Sequence, residues 1–268
     1  MNAFLGIAFL VSLALFAATV LRDIGPAMIL NPEALMIVCG GTIVAVFLAF
    51  PYARIRDAIR DVIDAFRLRR DREEVVEEIV EVARACRNTD IRGLEDRMKT
   101  MQDDFLRLGV SLLISHQSNE KIRDVMEREM AIKVLHQHLS MNVLKTIARL
   151  TPSFGLAGTV ISLIKMFRDM QSVESLAPLM GLAMMSTFYG VIIANLFMLP
   201  LCAKLKERAL LSEALMHITI EGVEAINNME HPLRIEERLS GYADIGKRDS
   251  ADAVRLLTAV KSEARTQL

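Results

Sequence analysis

Long runs without a single charged side chain constrain this chain more than any other feature. Met1–Leu21, Ala34–Ala53 and Ser175–Ala203 are such runs, and a shorter one lies between Arg149 and Lys165. At the helical rise, roughly 20 apolar residues cross a hydrocarbon core. Lipid offers no partner for a backbone N–H or C=O, so a spanning run must bond its own backbone, as a helix does. The short run reaches span length because Lys165 and Arg168 can snorkel to the interface and the helix can continue past Arg149. Met1–Leu21 also has the length of a signal peptide. It has no basic leading region and no clear small-x-small cleavage site, and a second apolar run follows the short loop Arg22–Glu33, so the two are read as a membrane hairpin.

Apolar residues make up 52% of the chain and charged ones 24%, so the charges must be concentrated elsewhere. They fall between Arg54 and Arg149 and after Lys204. In the first of these segments Ile55, Ile59, Val62, Ile63 and Phe66 recur at helical spacing, then Val75, Val76, Ile79, Val80 and Ala83 do so among glutamates that read as a solvated face. The expected fold is an all-α membrane protein with four transmembrane helices: a hairpin (1–53), a cytoplasmic helical domain (54–149), a second hairpin (150–204) and a helical cytoplasmic C-terminal region (205–268). Six arginines between Arg54 and Arg70, with Lys204, Lys206 and Arg208, put both termini in the cytoplasm by the positive-inside rule.

Several function classes are excluded or disfavoured. A formal net charge of −1 with scattered basic residues leaves no footprint for nucleic acid. Cys39, Cys86 and Cys202 are widely spaced and read as free thiols rather than zinc ligands. No Ser/His/Asp set, phosphate loop or metal-ligand spacing points to an enzyme or a bound cofactor.

The second hairpin carries the polar atoms that need explaining. Gly155, Gly158, Thr159 and Ser162 share one face of the third span, able either to pack closely or to offer hydroxyl oxygens. Ser186, Thr187, Tyr189 and Asn195 supply polar atoms in the fourth. Thr159 and Thr187 are expected at comparable depth, where oxygen ligands suit a hard cation such as sodium; an intramembrane threonine also commonly bonds its own helix carbonyl. Pro152 and Pro200 each remove a backbone donor and are expected together near the cytoplasmic membrane face, as a hinge or as plain helix-end punctuation. Neither apolar stretch contains an Asp or Glu. If cations cross here, the acid comes from another protein.

The stretches IVCGGTIVAVFLAFP, TPSFGLAGTVISLI, MGLAMMSTFYGVIIANLFMLPLCAKL and ITIEGVEAINNMEHPLRIEERL, in that order, resemble the MotA/PomA family of flagellar motor stator subunits. The resemblance implies a homopentamer around a MotB/PomB-type single-span, peptidoglycan-binding partner that carries the ion-binding aspartate, with sodium or proton flow driving rotation. It implies that Pro152 and Pro200 couple ion passage to motion, and that Arg87 and Glu95 meet the rotor switch-complex protein of the FliG type. Thr159 and Thr187 resemble the sodium-type members. Two alternatives remain: a TolQ/ExbB-type energiser of envelope work, which has one span before its cytoplasmic domain, and a non-conducting membrane scaffold.

Overall fold

The structure is a computed structural model that describes residues 11, 15, 18, 31–66, 72–87, 98, 101, 103–168 and 173–245. Most of the first apolar run, Glu95 and the last part of the C-terminal tail lie outside the described residues. Among the described residues the elements are helical. They are α1 (Pro32–Ala49), α2 (Tyr52–Ala65), α3 (Arg72–Arg87), α4 (Asp104–Ile114), α5 (Asn119–Arg168), α6 (Val173–Ile192), α7 (Leu199–Asn227) and α8 (Pro232–Ile245).

Among the described residues, three stretches of helix are long and apolar enough to cross a membrane: α1, α5 and the α6–α7 run. Their most apolar windows are only 22–28% buried within the chain. Leu48, Met36, Met184, Phe167 and Ile164 are among the large side chains left exposed, which fits surfaces that lipid or other subunits cover. The third apolar run does continue past Arg149, as one unbroken helix beginning at Asn119.

Local chemistry sets the ends of these helices. Asn31 caps α1 by accepting from the Ala34 N–H at 3.1 Å, and Pro32 occupies the first turn, where its missing donor costs nothing. Pro51 ends α1 by forcing Phe50 into an extended conformation (φ −133°, ψ 141°). Within α1 the residues Met36–Gly40 form a π turn. A second π turn, Ile193–Met198, joins α6 to α7 directly before Pro200. A wider turn there accommodates both the proline ring and the lost hydrogen bond.

The chain divides into two compact units. Unit 1 comprises Met1–Ile63 and Leu139–Leu205, and holds the apolar spans. Unit 2 comprises Asp64–His138 and Lys206–Leu268. Its core gathers Val75 and Ile79 from α3, Phe105 and Leu106 from α4, Ile122 and Met126 from α5, Val223 from α7, and Ile235 and Leu239 from α8. The glutamates of α3 at 73, 74, 77 and 81 stay exposed, as expected of a solvated face.

Unit 2 also contains a polar clamp. Arg123 makes a two-pronged ion pair with Glu224, whose hydrogen bond pushes the guanidinium pKa up. Asn227 donates to the Asn119 side chain and to the Gln117 carbonyl, and Asn119 donates to Asn228. Both α4 and α7 end in a reversed turn with a non-glycine residue at positive φ, His116 (46°) and Met229 (56°). The Gln117 N–H returns to Leu112 and the Glu230 N–H to Ala225, closing the last carbonyls. Burial raises the pKa of the Cys86 thiol, which keeps it protonated and unreactive at neutral pH.

At Gly222 α7 packs tightly on α3: a Cβ there would stand 2.7 Å from the Ile79 Cγ2 atom and 3.3 Å from Leu239 Cδ1. Gly222→Ala is therefore expected to destabilise unit 2 by about 1–3 kcal/mol through overpacking. Limited proteolysis of the full chain across a denaturant series measures it, and an unchanged midpoint would show that Ile79 yields freely.

Candidate functional site

In unit 1, α5 and α6 meet backbone to backbone. A Cβ on Gly155 would lie 2.9 Å from the Ser186 carbonyl oxygen, 3.3 Å from Thr187 Cα and 3.4 Å from Gly190 Cα. One on Gly190 would lie 2.9 Å from the Thr151 carbonyl oxygen and 3.1 Å from Pro152 Cα, and one on Gly158 would lie 2.6 Å from the Ser186 Oγ. The sequence reason is a pair of small-x-x-x-small motifs, Thr151–Gly155 and Ser186–Gly190, turned toward each other. α1 joins at the same level: Ile37 lies near Gly158, and Gly41 leaves room for the Phe154 ring. Farther along, Ala34, Leu182 and Met185 form a small core with Phe188 and Tyr189 beside it.

Most hydroxyls of the apolar helices bond to their own helix. Thr42 donates to the Val38 carbonyl at 2.7 Å, Thr159 to Leu156 at 2.7 Å, Ser162 to Gly158 at 2.8 Å and Ser186 to Leu182 at 2.9 Å. This is the local bonding that hydroxyls in apolar helices commonly adopt. The proton is committed, while the oxygen lone pairs remain. Ser186 is fully buried against Gly158, whereas Thr159 and Thr187 are half-exposed. No described residue accepts from the Thr187 hydroxyl. The Tyr189 hydroxyl accepts from the Asn31 N–H at 2.9 Å and so ties α6 to the head of α1. Beside that head, Lys165 and Glu33 form an ion pair linking α5 to α1, a contact that sequence spacing gave no means of finding.

Pro152 sits in the middle of α5 without ending it. It cannot reach the Ala148 carbonyl, and hydroxyls on either side bond the adjacent carbonyls: Thr151 to Ile147 at 2.6 Å and Ser153 to Arg149 at 3.2 Å. The expectation that the two prolines share one depth is not met within the chain. Pro152 faces Gly190, ten residues before Pro200. That separates them by on the order of 15 Å along the helix axis. The position of Cys202, whose thiol points to the Met141 carbonyl at 3.9 Å, agrees with this offset. Thr159 and Thr187, by contrast, flank the Gly158–Ser186 contact and lie within about a turn of each other.

Arg87 is exposed at the end of α3, in unit 2, and Glu95 lies outside the described residues. Among the described residues no cluster of three or more His, Cys, Asp or Glu is placed to hold a metal ion.

The sequence profile of the MotA/TolQ/ExbB proton channel family matches residues 97–217. Motility protein A of Aquifex aeolicus is 33% identical over 211 residues, covering 76% of this chain and 81% of that protein. The chain belongs to the motility protein A family. Chemotaxis protein PomA of Vibrio alginolyticus is 26% identical over 222 residues, covering 82% of this chain and 87% of that one. The fold matches the flagellar MotAB stator complex from Bacillus subtilis with a TM-score of 0.77 at 27% identity, over 94% of this chain and 98% of the other. It also matches the fold of C. jejuni MotAB, with a TM-score of 0.78 at 19% identity. Apolar helices and family together make this a membrane protein, and place it with channel and motor components rather than enzymes.

The contact yields a paired prediction. Gly190→Ala puts a methyl group against backbone atoms that cannot move aside, and is expected to abolish function and lower the yield of folded protein. Gly181→Ala, in the same helix with nothing within 4 Å of its would-be Cβ, is expected to behave as wild type. Motility and membrane yield of the two variants measure this, and equal behaviour would contradict the packing.

Proposed function

We infer that the chain is a stator subunit of the bacterial flagellar motor. With a MotB/PomB-type single-span partner it forms a cation channel in the inner membrane that couples ion flow to torque on the rotor. The observation that carries this reading is the α5–α6 contact: a tightly closed pair of helices that presents Thr159 and Thr187 near one level, in a hairpin whose apolar stretches contain no Asp or Glu. Such a wall has oxygen ligands for a cation but no titrating group, which suits a partner that supplies a carboxylate. The resemblance to a solved MotAB complex over nearly the whole of both chains supports the same partner.

In this reading Thr159 and Thr187 contribute lone pairs to a transient sodium site, with Ser186 and Tyr189 holding the wall behind them. Pro152 adjoins the wall one turn from Thr187, and Pro200 marks the π turn below it, so a change at the wall reaches Pro200 along α6. A homopentamer surrounds the partner, both termini face the cytoplasm, and Arg87, exposed at the end of α3, acts with Glu95 to steer the rotor protein through charge. The chain holds no resident cofactor; the cation is transported.

Thr159→Ala and Thr187→Ala are each expected to weaken the sodium dependence of swimming speed, and unchanged dependence in both would remove the sodium assignment. Pro200→Ala is expected to abolish torque with assembly intact; normal swimming would take Pro200 out of the coupling. Charge reversal at Glu95 is expected to reduce rotor engagement and to be partly restored by the reciprocal change on the rotor protein.

A further inference from the structure

α2 distributes its side chains in an unusual way. Tyr52, Ile59 and Ile63 are 69%, 56% and 56% exposed, and Phe66 just beyond the helix is 63% exposed. Arg56 and Arg60 are exposed among them, the steps 52, 56, 59 and 63 marking one helical face. The acids lie elsewhere. Asp57, Asp61 and Asp64 are turned toward the chain with buried Ala58; one carboxylate oxygen of Asp61 is closed off from solvent, and the Asp64 carbonyl accepts from Arg208. The Arg56–Asp57 ion pair spans 3.6 Å with Arg56 66% exposed, too open to hold the guanidinium away from another partner.

We propose that α2 lies on the bilayer surface as an anionic-lipid docking helix, with Tyr52, Ile59 and Ile63 at the acyl boundary and Arg56 and Arg60 on lipid phosphates. Two observations commit this face to lipid. α2 starts at Tyr52, separated from the end of α1 at Ala49 only by Phe50 and Pro51, so its first turn leaves the membrane at the interface. Its outward face combines apolar bulk with cations while its anions point inward, which complements a negatively charged headgroup layer. The proposal rests on α1 crossing the bilayer.

The chain has no tryptophan, so Ile63→Trp gives a single tryptophan whose emission can be excited apart from that of the tyrosines. The full-length variant is reconstituted into phosphatidylcholine vesicles with and without phosphatidylglycerol, using a lipid brominated near the headgroup end of its acyl chains as quencher. Quenching is expected with phosphatidylglycerol present. Removing that lipid, raising the salt, or adding Arg56→Gln with Arg60→Gln is expected to weaken it, by about fivefold in the docked-to-undocked ratio per arginine. Blue-shifted but unquenched emission would mean that a protein neighbour covers the face, and would overturn the proposal. Quenching insensitive to phosphatidylglycerol and to both arginines would overturn it too. Tyr52→Trp serves as a second reporter should Ile63→Trp fold poorly. Leu48→Trp, on α1, is expected to quench in every vesicle; its failure would overturn the spanning reading itself, separately from docking.

Discussion

The backbone contact between α5 and α6 is the constraint on which the rest of unit 1 depends. Inside a bilayer no hydrophobic force draws two helices together, because lipid tails are as apolar as leucine. Only small residues allow the close approach that dispersion needs, and Gly155, Gly158 and Gly190 provide it. Ser162 and Ser186, which interleave with them, bond to their own helices, so neither competes for a partner across the gap. From this one contact follow the shared level of Thr159 and Thr187, the burial of Ser186, and the offset between Pro152 and Pro200.

Unit 2 is held by different physics. Apolar side chains from α3, α4, α5, α7 and α8 are removed from water, and a polar clamp fixes the helix ends around that core. The Arg123–Glu224 pair and the asparagines at 119, 227 and 228 join the start of α5 to the end of α7. Their contribution is orientation more than stability, since exposed ion pairs contribute at most about 1 kcal/mol each.

The three spans among the described residues were legible because lipid excludes charge, and the face of α3 because water excludes apolar residues; both leave traces in sequence. The glycine face of the third span was legible as a face, yet its partner was not. The offset of two helices depends on which small residue meets which, and spacing along one helix does not encode that. This is why Pro152 and Pro200 were expected at one depth and are not. α2 failed in another way: Ile55, Ile59, Val62, Ile63 and Phe66 share a helical period, but Ile55 and Val62 are half-buried while Ile59, Ile63 and Phe66 are exposed. Periodicity identified the helix and could not say which medium its apolar stripe faces. The clamp around Asn227 left no signal at all, because its partners are about a hundred residues away.

The division of labour between this chain and its partner is tested most directly by sodium flux into sealed vesicles. The chain reconstituted alone is predicted to pass no sodium above empty vesicles, and the chain with a single-span partner bearing a membrane aspartate is predicted to pass it, with the flux lost when that aspartate is changed to asparagine. Sodium flux through the chain alone, or flux indifferent to the partner's aspartate, would contradict the account.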